Sequence, residues 1–161
     1  MTRDEAPRFL ADAMLGRLAR WLRFLGYDTV YDAALDDAAV VRRAQQEGRV
    51  LLTRDRALLS RWRPVSACFV SGDRALEQLE QVLGTQGLAA PGDRMPRCTV
   101  CNGTLRILSP AEAEPRVPPY VHRTRKTFHE CSHCNRVYWE GSHVARMRQE
   151  LGRAFLGPGP G

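Results

Sequence analysis

The sequence predicts an α/β protein in which a parallel sheet carries helices on both faces and is followed by a small four-cysteine zinc ribbon. Strand and helix patterns alternate through the first half of the chain, and this alternation is typical of a parallel sheet with right-handed crossovers. Aspartates follow each predicted strand, and the cysteines cluster late in the chain. At 161 residues with 43% hydrophobic composition, the chain is long enough for a packed domain and a minimal module.

The elements of the first half follow from their apolar spacing. Residues 8–11 are an apolar run typical of a strand, and apolar residues then recur at helical spacing up to Gly26, which suits the residue after a helix. The other predicted strands are residues 27–31, 50–53 and 65–70. The other predicted helices are residues 36–47, 55–62 and 73–83. Cys68, alone in an apolar run, is predicted to lie in the core.

The second half of the sequence predicts a separate module. Residues 84–96 are small and turn-rich and predict a linker. Strands are expected at 104–108 and 127–129, with a proline-rich irregular excursion between them and a helix over 142–156. We therefore expect an α/β domain over residues 1–90, a cysteine-containing module with its helix over 91–156, and a disordered tail over 157–161.

Charge indicates the kind of partner. The net charge is +6 and nearly all the cations are arginines, whose planar forks suit phosphate oxygens. This composition favours a nucleic-acid partner, although genome composition or thermal adaptation also enriches arginine. The first ten residues lack the apolar stretch of a signal peptide, and no run is apolar enough to cross a membrane. We therefore expect a cytoplasmic protein without a membrane partner.

Four of the five cysteines form two close pairs with metal-ligand spacing. Two C-x-x-C turns facing each other provide the tetrahedral sulfur environment that Zn²⁺ prefers, and a fully occupied sulfur set leaves no catalytic water position. Asn102 and Asn135 follow the two pairs and tolerate the left-handed backbone that such turns need. A redox pair or disulfides are the alternatives, and His133, inside the second pair, is expected to be a bystander. The predicted zinc ligands are Cys98, Cys101, Cys131 and Cys134.

The acidic residues predict a second site. The carboxyl ends of parallel strands share one edge of a sheet, where ligands bind, so aspartates after different strands converge there. Clustered carboxylates repel one another unless a hard cation such as Mg²⁺ or Mn²⁺ binds, and such a cation polarises a phosphodiester and activates water. The candidate acids are Asp12, Asp36, Asp37, Asp55 and, more weakly, Asp73.

Helix capping is the competing interpretation of each aspartate, since each also stands where the first amides of a helix need an acceptor. Arg17 and Arg20 near the start of the first helix, and Arg54 beside Asp55, are candidate phosphate-binding residues. Their alternative role is to form a solvated helix face.

Several segments together resemble the Mut7-C RNase family, in which a PIN-like nuclease domain is joined to a zinc ribbon. The segments that carry the resemblance are Phe9-Leu-Ala-Asp12, the run from Met14 to Gly26, Leu51-Leu-Thr-Arg-Asp55, the two cysteine pairs, and Val137-Tyr-Trp-x-Gly141. The resemblance implies a PIN-like three-layer α/β/α fold and an RNA substrate, whether tRNA, rRNA or mRNA. It also implies that Asp12, Asp55 and one or both of Asp36 and Asp37 bind metal.

The sequence thus predicts a divalent-metal-dependent ribonuclease in which Asp12 and Asp55 bind Mg²⁺ or Mn²⁺ and the ribbon assists substrate binding or stiffens the domain. Basic residues of the ribbon, with Tyr138 and Trp139, are candidates for RNA contact. The alternative for the two aromatic residues is a small hydrophobic core between the ribbon and the α/β domain. One rival is a non-catalytic nucleic-acid-binding protein. A receiver-like signalling domain is disfavoured, because the only lysine, Lys126, lies in the ribbon region rather than near the acids.

Overall fold

The computed structural model describes residues 6–88 and 94–156. The chain divides into two compact units, residues 1–102 and residues 103–161. The predicted tail at 157–161 lies outside the described residues, as does part of the predicted linker. The predicted domain boundaries stay a prediction.

The first unit is a four-stranded parallel sheet with helices on both faces. Its strands are β1 (Phe9–Ala11), β2 (Thr29–Tyr31), β3 (Val50–Thr53) and β4 (Ala67–Phe69). Its helices are α1 (Gly16–Phe24), α2 (Asp37–Gln46), α3 (Arg56–Trp62) and α4 (Ala75–Thr85), with a 3-10 turn at Ala13–Leu15. The strand order is β2-β1-β3-β4 and every pairing is parallel. The predicted fold class is therefore confirmed.

The helices form two outer layers. Helix α1 packs beside α4, while α2 packs beside α3. The face under α2 and α3 has a core in which Leu10 of β1 and Leu51 of β3 meet Val40, Val41 and Leu58. Because side chains alternate across a strand, the neighbouring strand residues point to the other helical layer. Burying both faces requires strands that are almost wholly apolar, as β1 and β3 are.

Glycines end two of the helices where the sequence predicted. Gly26 (φ +90°) and Gly48 (φ +61°) have left-handed backbone that suits glycine. A Cβ atom on Gly26 would also lie 2.7 Å from the carbonyl oxygen of Met95, so this position excludes a side chain for two separate reasons.

The second unit is a three-stranded antiparallel sheet in the order β5-β6-β7, with β5 at Leu105–Leu108, β6 at Phe128–Cys131 and β7 at Val137–Trp139. Helix α7 follows at Ser142–Leu156, as predicted. No strand was predicted over the residues of β7, and their pairing with β6 supplies the third strand.

The expectation of an irregular excursion between β5 and β6 is wrong. This segment forms α5 (Pro110–Ala113), a 3-10 turn (Glu114–Arg116) and α6 (Pro119–Thr124). The prolines that suggested irregular structure stand in the first turn of these helices, where a missing N–H costs nothing. Ser109 and Glu112 form a reciprocal capping box that starts α5.

The second unit has its own core, made by Leu108, Ala113, Val117, Val121 and Phe128. Trp139 packs against this core, whereas Tyr138 alternates to the opposite side of the strand. Trp139 therefore packs against the hydrophobic core of its own unit, and the expected core between the ribbon and the α/β domain stays a prediction.

Candidate active site and metal centre

The strand order places the topological switch point of the sheet at the carboxyl ends of β1 and β3. The chain leaves β1 toward α1, in one helical layer, and leaves β3 toward α3, in the other. Where neighbouring parallel strands send their connections to opposite faces, the two connections separate and leave a ligand-binding crevice. Asp12 is the first residue after β1, and Asp55 is the second residue after β3.

Thr53 lies between these two aspartates and connects them. Its hydroxyl group donates to Oδ2 of Asp12 over 2.8 Å and accepts from the backbone N–H of Asp55 over 3.0 Å. Thr53 is fully buried as the last residue of β3, so its rotamer is fixed by packing. The Asp12 backbone N–H also donates to the Leu52 carbonyl, which holds this stretch against β3. One buried hydroxyl group therefore contacts both the carboxylate of Asp12 and the backbone of Asp55.

Helix capping accounts for Asp36 and Asp55 but not for Asp12. Asp12 precedes the 3-10 turn, but its side chain makes no capping hydrogen bond and accepts from Thr53 instead. Asp36 and Asp55 do cap helices, by accepting from the N–H groups of Ala39 (2.8 Å) and Leu58 (3.1 Å). Capping uses only Oδ1 of Asp55, and within the described chain no hydrogen bond is made by its Oδ2 or by Oδ1 of Asp12. One oxygen of each carboxylate therefore remains for another ligand.

The remaining predicted acids are exposed. Asp36 and Asp37 are exposed at the start of α2, the helix that follows β2, which neighbours β1. Asp73 is 89% exposed and forms an ion pair with Arg54 over 2.9 Å. In the described ranges, the only group of three or more Cys, His, Asp or Glu ligand atoms close enough to share a metal ion is the cysteine cluster. Among the described residues, the aspartates therefore do not form a group of three carboxylates that could enclose a metal ion.

Asp32 and Thr53 were not among the predicted site residues. Asp32 follows β2 directly, as Asp12 follows β1, and the pairing of Ala11 with Tyr31 places the two aspartates in the same row of the sheet. Its Oδ1 accepts from the N–H of Ala34 over 3.0 Å. The signal for Asp32 was its position at the end of the predicted strand 27–31. No sequence signal identified Thr53, because its role depends on the neighbouring strand.

Tyr31 fixes the turn that follows Asp12. Its hydroxyl group donates to the carbonyl of Ala13 over 2.9 Å, and a Cβ atom on Gly16 would lie 3.1 Å from the phenol ring. Glycine at position 16 thus lets the ring pack closely against the first turn of α1. The predicted phosphate-binding residues Arg17 and Arg20 are exposed on this helix. Arg54 is half-buried and paired with Asp73, so phosphate binding by Arg54 would compete with that ion pair.

The four predicted zinc ligands come together. The Sγ atoms of Cys98, Cys101, Cys131 and Cys134 all lie within 4.8 Å of one another. A tetrahedral zinc with Zn–S bonds of about 2.3 Å needs sulfur atoms roughly 3.8 Å apart, so the spacing fits after small adjustments. These residues can therefore hold a metal such as zinc. His133 is exposed and is not part of the cluster, as expected of a bystander.

The two cysteine turns share one backbone geometry. Asn102 (φ +73°) and Asn135 (φ +64°) both have the left-handed conformation that the sequence predicted. Each asparagine N–H donates to the carbonyl of the first cysteine of its pair, over 2.8 and 3.0 Å. The N–H groups of His133 and Cys134 lie 3.4 Å from Sγ of Cys131, where they would stabilise a thiolate.

The first cysteine turn is anchored to the amino-terminal side of β2, away from the aspartates. Asn102 accepts from the N–H of Thr29 over 2.9 Å and donates to Asp28 over 2.7 Å. The buried Arg23 donates to the carbonyls of Thr29 and Thr99 over 2.9 and 3.0 Å. Thr29 begins β2, whereas the aspartates follow the carboxyl ends of the strands. The Cys98–Cys101 turn therefore braces the sheet from the edge opposite the candidate active site.

Arg49 forms ion pairs with two acidic residues near the amino-terminal ends of the strands. Its buried guanidinium group binds Asp28 over 2.8 Å and Glu47 over 2.9 Å. Burial raises the pKa of Asp28, but the hydrogen bonds from Arg49 and Asn102, together with the charges of Arg49 and Arg97, lower it by more, so the net pKa lies below the usual aspartate value. Asp28 is therefore held ionised as a structural group of the brace.

No helix in the described part of the chain is long and apolar enough to span a membrane. The model of the Mut7-C RNAse domain family matches residues 7–151, which is most of the chain. Comparison with curated proteins gave no match, and comparison with solved structures gave none. The family match supports a nuclease-type function with a nucleic-acid substrate.

Proposed function

The chain belongs to the Mut7-C RNAse domain family, and on that premise we propose that it is a ribonuclease that hydrolyses RNA phosphodiesters with a divalent cation bound by Asp12 and Asp55. The observation that carries the proposal is the Thr53 hydroxyl group, which bonds the Asp12 carboxylate and the Asp55 backbone at the carboxyl ends of the neighbouring strands β1 and β3. The family match supports the class of reaction, and these contacts support the location of the catalytic site.

The donor set fits magnesium or manganese. Mg²⁺ is commonly bound by one or two carboxylates together with water and substrate phosphates, so a complete protein cage is not required. Asp12 and Asp55 each keep one carboxylate oxygen without a hydrogen bond among the described residues. When bound, the cation supplies Lewis-acid activation of the phosphodiester and of water.

The other residues of the edge would complete the site around this pair. Asp32, Asp36 and Asp37 would hold water in the outer coordination sphere, since they lie at the end of the neighbouring strand and the helix after it. Arg17 and Arg20 would bind substrate phosphates from the exposed surface of α1. Thr53 contacts the Asp12 carboxylate and the Asp55 backbone and would act as a positioning residue.

A structural zinc in the cysteine cluster is part of the proposal. With four sulfur ligands no coordination position remains for catalysis. The hydrogen bond that Asn102 accepts from Thr29, and those that Arg23 donates to Thr29 and Thr99, would connect the metal-bound turn rigidly to the start of β2. The zinc would thus stabilise the sheet that carries the acids.

Cleavage of end-labelled RNA by metal-stripped, zinc-retaining protein tests the function. We expect cutting to return with added Mn²⁺ or Mg²⁺ and to be lost in Asp12→Asn and Asp55→Asn variants that melt like the wild type. Asp73→Asn is the matched control, because that acid is exposed and paired with Arg54. Equal cutting by all variants, or none by the wild type under any metal condition, would refute the proposal.

A non-catalytic nucleic-acid-binding protein is the second candidate, and one observation favours it. Asp36 and Asp55 both cap helices, so part of the acidic pattern has a structural explanation. In that case the wild type and the Asp12→Asn variant would bind RNA equally and neither would cut it.

A further inference from the structure

The outer face of α6 and the segment that follows it combine an exposed aromatic ring with exposed cations. Tyr120 is 60% exposed. Arg123 lies three residues further along the same short helix, and Arg125 and Lys126 follow its end, all of them exposed. These four residues are called the α6 face below.

The rest of α6 is fixed to its own unit, and this determines which side faces outward. Val121 is buried in the core, and the His122 ring stacks on Phe128. The His122 Nε2 atom lies 2.9 Å from the carbonyl of Pro110. Residues three apart share one side of a helix, so Tyr120 and Arg123 lie together on the side away from these contacts. The face is therefore a preformed surface on a rigid support.

The cations of the α6 face differ from other arginines of the same unit. Arg106 and Arg116 both bind the buried carboxylate of Glu130, and Arg148 binds Glu140. In the described ranges Arg123, Arg125 and Lys126 have no ion pair. Three positive charges within four residues, left without acidic partners, provide charge complementarity for a polyanion.

We propose that the α6 face binds single-stranded RNA, with Tyr120 stacking on an unpaired base and Arg123, Arg125 and Lys126 contacting phosphates. Stacking on an exposed aromatic ring together with backbone contacts from cations is the usual mode of single-strand binding. The choice of RNA as the ligand rests on the proposed function. The inference assigns the RNA contact of the second unit to α6 rather than to Tyr138 and Trp139.

Fluorescence anisotropy with a labelled oligouridine tests the inference in the full-length, zinc-loaded Asp12→Asn protein, which avoids cleavage. The oligomer has about 12 nucleotides, within the range of roughly 4–16 that one binding module occupies. We expect Tyr120→Ala to weaken binding about fivefold or more and Tyr120→Phe to retain wild-type affinity. The double variant Arg123→Ala/Arg125→Ala should lower the salt slope by about 1.4, since each phosphate contact contributes roughly 0.7 for single strands.

The control is Arg146→Ala/Arg153→Ala, which removes the same charge from exposed positions of α7. Equal loss of slope in the two double variants would overturn the inference, because net charge alone would then explain binding. Unchanged affinity in the Tyr120 and α6 arginine variants would also overturn it and leave a protein partner as the occupant of the face.

The function and this inference can fail separately. Metal-dependent cutting by the wild type, together with α6 variants that bind RNA normally, refutes the α6 face alone. Loss of binding in those variants, with no cutting by the wild type, supports the face and refutes the nuclease.

Discussion

Replacing Thr53 by valine tests whether the buried hydroxyl group positions the acids. Valine keeps the shape and the γ-methyl group of threonine but removes both hydrogen bonds of the hydroxyl. The lost bond to the Asp12 carboxylate costs about 1.5–3 kcal/mol, and an unpaired Asp55 N–H costs about 1–3 kcal/mol. Because Asp12 is only half-buried and water can reach it, we expect the lower end, a loss of about 2–3 kcal/mol in the free energy of unfolding.

Activity should fall further than stability explains. Without the hydroxyl group the Asp12 side chain loses its fixed orientation, and misplacement by about 1 Å can reduce a rate roughly 100-fold. We therefore expect RNA cleavage by folded Thr53→Val protein to fall about 10- to 100-fold. Urea unfolding followed by circular dichroism gives the stability, and single-turnover cleavage at saturating Mn²⁺ gives the rate.

Serine at position 53 is the matched control. It keeps the hydroxyl group and loses one buried methyl group, which costs about 1 kcal/mol. We expect Thr53→Ser to be somewhat less stable than the wild type and nearly as active. Equal cleavage rates for the valine and serine variants would refute the positioning role, even if valine lowered the stability.

Three further predictions concern the other acids and the cysteine turn. Asp32→Asn should lower Mn²⁺-dependent cleavage several-fold, whereas Asp73→Asn should leave it unchanged; initial rates at limiting Mn²⁺ compare the two. Cys101→Ser should remove the metal and lower the melting temperature of the α/β unit, read from circular dichroism and from hydrogen exchange at β2. Asp28 has a lowered folded pKa, so its stabilisation is present above the ordinary aspartate pKa of about 4 and is lost as the pH falls through the folded value.

Each of these predictions has an outcome that contradicts it. Equal cleavage by the Asp32→Asn protein and the wild type would leave Asp32 as a turn residue only. Unchanged hydrogen exchange at β2 in Cys101→Ser would show that the cysteine turn does not brace the sheet. Urea unfolding across acidic pH should show a smaller acid-side loss of stability for Asp28→Asn than for the wild type, and equal losses would remove Asp28 from the brace.

Local patterns predicted most of the α/β unit. The bounds of β3 match the prediction, and Gly26 and Gly48 end their helices because apolar spacing and glycine reflect purely local physics. The cysteine turns were predictable for the same reason, since ligand spacing and the left-handed Asn102 are local features.

The features that escaped prediction depend on contacts between distant residues. The strand order follows from which strands pair, and the Thr53 bridge exists only because β1 lies beside β3. The helices α5 and α6 were missed because proline at a first turn favours a helix, whereas proline elsewhere breaks one. Which aspartates cap a helix was likewise not predictable, because it depends on the hydrogen bonds that Asp36 and Asp55 make.

Binding of Mn²⁺ itself tests the central claim most directly. Electron paramagnetic resonance counts free and bound Mn²⁺ in zinc-loaded protein without RNA, so the result does not depend on finding the right substrate. We predict a bound Mn²⁺ in the wild type and in Asp73→Asn that is lost in folded Asp12→Asn and Asp55→Asn proteins. Equal Mn²⁺ binding by all four proteins would contradict the account, because the pair of aspartates around Thr53 would then not be the metal site.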